Sequence, residues 1–576
     1  MPGRAVPERT HVRERSSMLN AIAVELIWRR LISIVEEAAA ALVRTSFSSV
    51  VRESNDFACV ITDRNGRSIA QPSNSIPSFI GTLPRTIRAF LEVFPLEVLE
   101  DGDILITNDI WLGTGHLPDI TVAKPIFHHG TIVGFAGSVT HAPDIGGRVR
   151  SADAREVYEE GLQIPVMRVV RRGKMNETFE QILRKNVRTP DQTMGDLYAQ
   201  FAALHLIDRR IVALMRERNL ESLEEVSHEV RQRSEKAMRQ AIAEVADGTY
   251  RDVAICDGID RPIKLEMALT VRGDEIEIDY SGSDPQVLRS INVCLAYTRS
   301  YTAYGVKAVL SPDIPNNEGA LAPLSITAPV GSILNSRPPA AGGARALMGH
   351  FLPAMVMRAL AQIVPSQVIA GVGSPLWCVN LAGVRGQGGT FANLFFLNGG
   401  YGASARGDGI PVLSWPSNIS STPVEVIERI APIKIHYRQL RRATGGAGMY
   451  RGGPGQELMF ENLNAGPTTV SFLAERTRPE TAVAGLHGGA PGLTGEILID
   501  GDGYHLVVAA QTAEPTASNV VSFGLSWNKR PRRVMNASEP AISMATSTKL
   551  TPPSFKISPR RNREPSSTIP AFSQNS

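Results

Sequence analysis

Residues 116–145, HLPDITVAKPIFHHGTIVGFAGSVTHAPDI, carry the pattern His-x-Pro-Asp-Ile at both ends. With average residue usage, a His is followed by x-Pro-Asp-Ile roughly once in several thousand cases, so chance is a poor explanation for two copies. Between the copies, Ile120 to Phe127 and Thr131 to Val139 are rich in apolar and β-branched residues and predict two strands joined by a turn. Both copies therefore lie on loops at strand ends, where binding and catalytic residues are usually found.

Each copy offers an imidazole and a carboxylate three residues apart, on a loop that a proline stiffens. Side chains placed in this way can turn toward one point, and mixed nitrogen and oxygen donors are what many divalent metals favour. We therefore predict a metal centre in this segment. Its candidate donors are His116, Asp119, His141 and Asp144.

Two further carboxylates lie upstream, in the segment 53–56, which reads ESND. The segment follows a predicted helix, Leu19 to Arg44, and precedes a predicted hairpin that turns at Asn65-Gly66. Glu53 or Asp56 is therefore a candidate for a further oxygen ligand from outside the repeated pattern.

Helical and strand patterns alternate along the rest of the chain. Ser222 to Val245 carries one apolar stripe at helical spacing, and Asp247-Gly248 ends it. Beyond it, Ile263 to Tyr280 alternates apolar and polar residues around a turn, as in an antiparallel hairpin with one buried face. These patterns predict the α/β class in its mixed α+β form, with helices flanking mixed sheets and the metal site on strand-end loops.

A chain of 576 residues is too long for one ordinary hydrophobic core, so a multi-domain protein is expected. We place a boundary near residue 247, between an N-terminal metal-site domain (19–247) and a Gly- and Pro-rich mixed α/β region (248–525). Residues 1–18 are predicted to form a disordered leader. Residues 526–576 are predicted to form a basic disordered tail, because they are polar and lack periodic apolar residues.

Charge and composition limit the partners and the compartment. From Trp527 onward the chain contains nine Lys or Arg and two Glu, a net charge of +7. Because the whole chain carries +3, the remainder carries −4, and this acidic body gives no support to nucleic-acid binding. The sequence contains no run of 18 apolar residues, the length that would predict a membrane-spanning helix, and no secretory signal is evident. The four Cys lie far apart without C-x-x-C spacing. We expect a cytoplasmic protein with buried, reduced thiols and no membrane partner.

Two common catalytic motifs are missing from the sequence. It has no G-x-x-x-x-G-K-[ST] loop to hold phosphates, so ATP, if it is used, must bind to another chain. A G-x-S-x-G elbow with a plausible base is also lacking, which disfavours a serine hydrolase.

The chain resembles the hydantoinase B/oxoprolinase family from about Leu26 to about Glu461. The resemblance covers nine segments: Arg44 to Ser48, Glu53 to Phe57, Asn108-Asp109, Gly113 to Asp119, Asp144 to Gly147, Glu159 to Leu162, Asn186 to Arg188, Asp279 to Gly282, and Tyr450 to Gly455. The family includes the second subunits of ATP-dependent N-methylhydantoinases, 5-oxoprolinases and related lactamases, and the metal-bearing subunits of ketone carboxylases.

The resemblance implies a ligand set and a partner. In the carboxylase relatives, a manganese-type site uses a Glu, a His-x-x-Asp pair and a later His, which fall on Glu53, His116, Asp119 and His141. This implies a divalent metal, manganese ahead of zinc or iron, and ATP bound by a hydantoinase A-type partner in a hetero-oligomer. The family commonly has His-His-x-Asp where this chain has His141 followed by Ala142, which removes one imidazole and makes the substrate less certain than the metal.

The leading prediction is the metal-bearing subunit of an ATP-dependent cyclic-amide hydrolase, acting on a hydantoin, 5-oxoproline or another lactam. Asp144 and Asp56 are predicted to serve as a nearby base or supporting carboxylate. The alternatives are the alpha-type subunit of an ATP-dependent acetone or acetophenone carboxylase, which would share the site, and a non-catalytic scaffold that a metal stabilises. The scaffold is disfavoured because structural metal sites tend to be closed and Cys-rich, whereas the candidate ligands here are His and carboxylate side chains on loops.

Overall fold

The computed structural model describes residues 20–500 and 503–510. The predicted leader (1–18) and basic tail (526–576) lie outside the described residues. Ten α-helices are present in the described part: α1 (Ala21–Thr45), α2 (Ser49–Arg52), α3 (Pro77–Val93), α4 (Glu177–Asn186), α5 (Pro190–Arg218), α6 (Glu224–Ala243), α7 (Leu295–Leu310), α8 (Ala346–Gly349), α9 (Phe351–Leu360) and α10 (Val424–Ile430).

The strands of the described part form four sheets. Their bounds are β1 (Phe57–Asp63), β2 (Ser68–Ala70), β3 (Ile104–Thr107), β4 (Asp119–His128), β5 (Thr131–His141), β6 (Met167–Arg171), β7 (Lys174–Met175), β8 (Gly248–Cys256), β9 (Ile263–Arg272), β10 (Glu275–Asp279), β11 (Leu324–Thr327), β12 (Trp377–Val384), β13 (Thr390–Leu397), β14 (Ile433–Leu440), β15 (Gln456–Asn462), β16 (Thr468–Leu473), β17 (Thr494–Asp500) and β18 (Gly503–Ala510). The sheet orders are β2-β1-β5-β4-β3-β6-β7, β11-β10-β9-β8, β13-β12-β16 and β14-β15-β18-β17. The predicted mixed α/β class is confirmed.

Strands β1 to β5 of the seven-stranded sheet are buried on both faces, which explains why they read as continuous apolar runs rather than as alternating patterns. Along β5, Phe135 and Val139 face a core shared with α3 and α7, while Val133 and Ala136 face a second core shared with α1 and α5. The predicted strands at 120–127 and 131–139 are observed as β4 and β5, each slightly longer than predicted.

The helix predicted to end near residue 245 is α6, and β8 begins at Gly248, so the change from helix to sheet lies close to the predicted boundary. The core that α3 contributes to also contains residues from beyond this point, including Leu265, Tyr301 and Leu352. The alternation predicted at 263–280 is the β9 and β10 hairpin, whose apolar side chains face inward.

All four cysteines are buried and free, as predicted. Across the part of the chain that the structure describes, we find no helix with both the length and the apolar character needed to cross a bilayer.

Candidate metal centre

Strand register brings the predicted donors together. In the antiparallel β4–β5 pair, Asp119 at the start of β4 lies opposite His141 at the end of β5. His116 lies in the loop that enters β4 and is three residues from Asp119. On the other side of β5, Phe57 of β1 pairs with Thr140, and the His141 N–H donates to the Asp56 carbonyl at 3.1 Å. A single edge of the sheet therefore carries four polar side chains.

His116, Asp119 and His141 form a tight, buried group whose donor atoms all lie within 4.8 Å of one another. Asp119 Oδ1 is 2.8 Å from His116 Nε2 and 3.1 Å from His141 Nδ1. The two imidazoles meet edge to face, with ring centroids 4.9 Å apart. Asp56 Oδ2 lies 3.7 Å from His141 Nδ1 and supplies a second carboxylate beside the group.

This group fits a divalent cation by its donor chemistry. His116 Nε2 is fully buried and, although close to Asp119 Oδ1, has no partner in hydrogen-bonding geometry. A buried polar atom without a partner is costly unless something else satisfies it. Two imidazole nitrogens and one or two carboxylate oxygens are a donor set suited to Mn²⁺, Fe²⁺ or Zn²⁺.

Electrostatics favour the metal-binding forms of His116 and Asp119, namely a neutral imidazole and an ionised carboxylate. Burial, reinforced by the Arg345 guanidinium, holds the pKa of His116 well below its usual value, so the imidazole is neutral. Burial opposes ionisation of Asp119, but the Arg345 guanidinium beside it favours the anion, and the pKa of Asp119 lies well below its usual value. Burial raises the pKa of Asp56 to about 6, against the opposing effect of His141.

Arg345 fixes the outer oxygen of Asp119. Its Nη2 lies 2.8 Å from Asp119 Oδ2, its Nε donates to the Thr114 carbonyl, and its guanidinium stacks on the Tyr297 ring at 4.4 Å. The Thr114 hydroxyl donates to the same Oδ2 at 2.5 Å. Oδ1 is thereby left facing the two imidazoles.

A small cavity of about 40 Å³ adjoins the group and is lined by Asp56, Tyr301, His350 and Arg150 among others. This volume is roughly three times what one buried water requires. His350 is buried, its Nε2 is 3.2 Å from the Tyr301 hydroxyl, and its Nδ1 has no partner. A much larger, glycine-rich cavity of about 470 Å³ does not include the triad, so we assign the chemistry to the smaller cavity because it holds the convergent titratable groups.

The structure does not bring Glu53 or Asp144 into this group. Glu53 lies at the C-terminal end of α2, a quarter of its side chain is exposed, and its nearest ionic partner is Arg52 at 3.4 Å. Asp144 binds the Arg188 guanidinium at 2.7 Å and lines a neighbouring cavity that it shares with His141. Of the six predicted site residues, His116, Asp119, His141 and Asp56 converge.

Sequence reasoning missed five residues that line the cavity. Arg150 follows the end of the hairpin closely, whereas Tyr297, Tyr301, Arg345 and His350 come from segments far from it. A partial signal for Arg345 was present, since it lies two residues after the glycine-rich stretch 341–343. A glycine stretch that contacts a remote backbone cannot be told from a turn without the tertiary contact.

The chain matches the family model described as Hydantoinase B/oxoprolinase over residues 20–527. A protein of Pseudomonas sp. (strain NS671), named as a candidate B-type component of a D-/L-hydantoinase, is 30% identical over 502 residues, which cover 84% of each chain.

Two solved structures share the fold. The ATP-dependent caprolactamase of Pseudomonas jessenii superposes with a TM-score of 0.74 and 26% identity, covering 85% of this chain and 87% of that one. A nucleotide-free acetone carboxylase superposes with a TM-score of 0.71 over 83% of this chain and 65% of that one, and its 21% identity makes it evidence for the fold alone.

Proposed function

The chain belongs to the hydantoinase B/oxoprolinase family, and from this membership we propose that it is the metal-bearing subunit of an ATP-dependent enzyme that opens a cyclic amide. The observation that supports the proposal is the buried group of His116, Asp119 and His141 beside a small cavity. The chain has no phosphate-binding loop of the Walker type, so we assign ATP binding to an A-type partner.

His116, Asp119 and His141 would hold the cation, with Asp56 either as a fourth ligand, and the second to offer oxygen, or as a base beside it. A divalent cation held there would supply Lewis acidity, which can polarise a carbonyl group and make water more acidic and so easier to activate for attack. The donor set of imidazole and carboxylate suits manganese, zinc and iron alike. We place manganese first because the resemblance to the carboxylase relatives implies a manganese-type site.

The chain's own residues supply orientation and proton transfer. Asp56 has a pKa of about 6, so at neutral pH it is mostly ionised and can accept a proton from an attacking water. Arg345 and Thr114 hold Asp119 in one orientation. Arg150 and His350 line the cavity beside the proposed ligands, where they would contact the attacking water or one polar group of the substrate. Buried side chains around the cavity, such as Tyr297 and Tyr301, limit the entry of bulk water.

The test is the metal content of the purified protein with His116 replaced by Ala. We expect the content to fall to a small fraction of the wild-type value, because the variant loses one of three close donors. The matched control is His228→Ala, which removes an exposed imidazole on α6 and should leave the content unchanged. Unchanged occupancy in His116→Ala would refute the metal assignment.

The dependence of ATP turnover on bicarbonate distinguishes the hydrolase proposal from the carboxylase alternative. With the A-type partner present, hydrolysis of a lactam such as 5-oxoproline or caprolactam should drive ATP turnover without added bicarbonate. ATP turnover that requires bicarbonate and a ketone would instead assign the chain to the carboxylase branch. Metal-independent turnover in His116→Ala would favour the scaffold alternative.

A further inference from the structure

A backbone carbonyl orients the imidazole of His116 through the ring nitrogen that points away from Asp119. Its Nδ1 lies 3.3 Å from the Gly343 carbonyl oxygen, and Arg150 Nε donates to the same oxygen at 2.7 Å. An imidazole that donates from Nδ1 presents a lone pair at Nε2, the nitrogen that faces Asp119. The position of Gly343 therefore affects both the tautomer and the direction of His116.

The Gly342-Gly343 peptide is in turn held by a buried carboxylate, Glu160. Glu160 Oε1 accepts the Gly343 N–H at 2.6 Å and the Ser290 hydroxyl, and Oε2 accepts the Gly342 N–H at 3.3 Å. Burial raises the pKa of Glu160, while these three donors and Arg150 act in the opposite direction. A buried carboxylate with three donors is a firm anchor for the backbone that it contacts.

The two glycines are required by close approach. A Cβ at Gly343 would lie 2.9 Å from Glu160 Oε1 and 3.0 Å from Ser290 Oγ, and a Cβ at Gly342 would lie 2.4 Å from the Gly115 carbonyl oxygen. Gly115 directly precedes His116, so the glycine stretch packs against the loop that carries the ligand.

We propose that Glu160 is a positioning residue for the metal centre: through the Gly342-Gly343 peptide it sets the orientation of His116 and hence the affinity for the cation. The proposal rests on the proposed function, because it assumes that His116 is a ligand. Glu160 and the glycine stretch 341–343, which take no direct part in the proposed reaction, would thus act through His116.

The test compares Glu160→Gln with Glu159→Gln in the full-length protein. Glu159 is adjacent, partly exposed and paired with Arg148, so its variant controls for the loss of one negative charge. In Glu160→Gln one carboxylate oxygen becomes an amide group that faces a backbone N–H, and one anchor contact is lost. Metal-free protein is titrated with Mn²⁺, and with Zn²⁺ in parallel, and the dissociation constant is measured alongside the melting temperature.

We expect Glu160→Gln to weaken binding by about 10- to 100-fold, the usual effect of removing a group that orients a ligand. Glu159→Gln should bind as wild type does. Gly343→Ala, which pushes the same peptide away from Glu160, serves as a second variant if Glu160→Gln does not fold, and it should weaken binding as well. A residue with only a structural role would lower the melting temperature and leave the dissociation constant unchanged.

The possible failures are distinguishable. If His116→Ala abolishes binding while Glu160→Gln and Gly343→Ala bind as wild type does, the role of Glu160 is refuted and the metal site stands. If wild-type protein binds neither cation, the proposed function fails, and the role of Glu160 fails with it.

Discussion

Replacing Arg345 with Met should destabilise the metal-free protein by several kcal/mol. The Arg345 guanidinium is the cationic partner of Asp119 at 2.8 Å, and both side chains are almost completely buried. Met retains much of the volume and the contact with Tyr297 but removes the charge. Asp119 is then an anion without a cationic partner, and breaking a buried pair in this way costs about 3–5 kcal/mol.

The expected change in melting temperature follows from the size of the protein. Unfolding entropy is about 2.1 cal/mol/K per residue, which gives roughly 1 kcal/mol/K over the roughly 490 residues that the structure describes. A loss of 3–5 kcal/mol therefore lowers the melting temperature by about 3–5 °C. The assay is thermal unfolding in EDTA, so that no bound cation replaces the missing positive charge.

The matched control is Arg148→Met. Arg148 pairs with Glu159 at 2.8 Å, but half of the Arg148 side chain is exposed. Exposed pairs contribute about 1 kcal/mol or less, so the control should shift the melting temperature by about 1 °C at most. Equal shifts in the two variants would refute the reasoning, because they would mean that Arg345 does not balance a buried charge on Asp119.

Two other substitutions test the site and the second half of the chain. Asp56→Asn should lower lactam-dependent turnover by about 100-fold or more, the usual contribution of a general base, and Asp144→Asn should have a much smaller effect, as measured by steady-state kinetics with the partner. Burial and Asp257 raise the pKa of Glu475 well above its usual value. The stabilisation from its protonated form is complete below about pH 4 and is lost as pH rises toward the folded pKa. Glu475→Gln imitates that form, so the difference in melting temperature between Glu475→Gln and wild type should shift in favour of the variant as the pH rises above about 4.

The exposed Glu480 provides the control for the pH experiment, because Glu480→Gln removes a carboxylate that water already solvates. A constant difference between Glu475→Gln and wild type across the pH range would contradict the assigned protonation. For the kinetic experiment, equal losses in Asp56→Asn and Asp144→Asn would contradict the distinction drawn between them.

The repeated pattern in the sequence was enough to locate the hairpin and its donors. Its spacing indicated two strands of known length, and the short turn between them fixes the register of the antiparallel pair. That register sets Asp119 opposite His141. Local patterns sufficed here because the interacting residues are close in the chain.

The choice between Glu53 and Asp56 depended on the pairing of β1 with β5, which involves residues about 80 positions apart. Asp56 directly precedes β1, so its side chain reaches the edge at which β5 ends, whereas Glu53 still belongs to the last turn of α2. The positive φ of 57° at Asn55 turns the chain between the two carboxylates. Spacing alone carries no information about such a turn.

The roles of Arg345 and Glu160 could not be predicted from local sequence patterns, because their contacts also join residues far apart in the chain. The contacts from Arg345 to Asp119 and from Gly343 to His116 join residues separated by 226 and 227 positions. Neither segment has a motif that identifies its partner. Only the folded core that unites α3, α7 and β9 brings these segments to the hairpin.

These separations have a consequence for biosynthesis. The hairpin with His116, Asp119 and His141 is synthesised before Gly343 and Arg345, so the contacts between them cannot form until those residues have been made. A nascent chain that ends near residue 247 would carry all three donors but not the groups that orient them. Full-affinity loading of the cation is therefore expected only after synthesis has passed residue 345, and a hairpin grafted into another scaffold would not inherit that affinity.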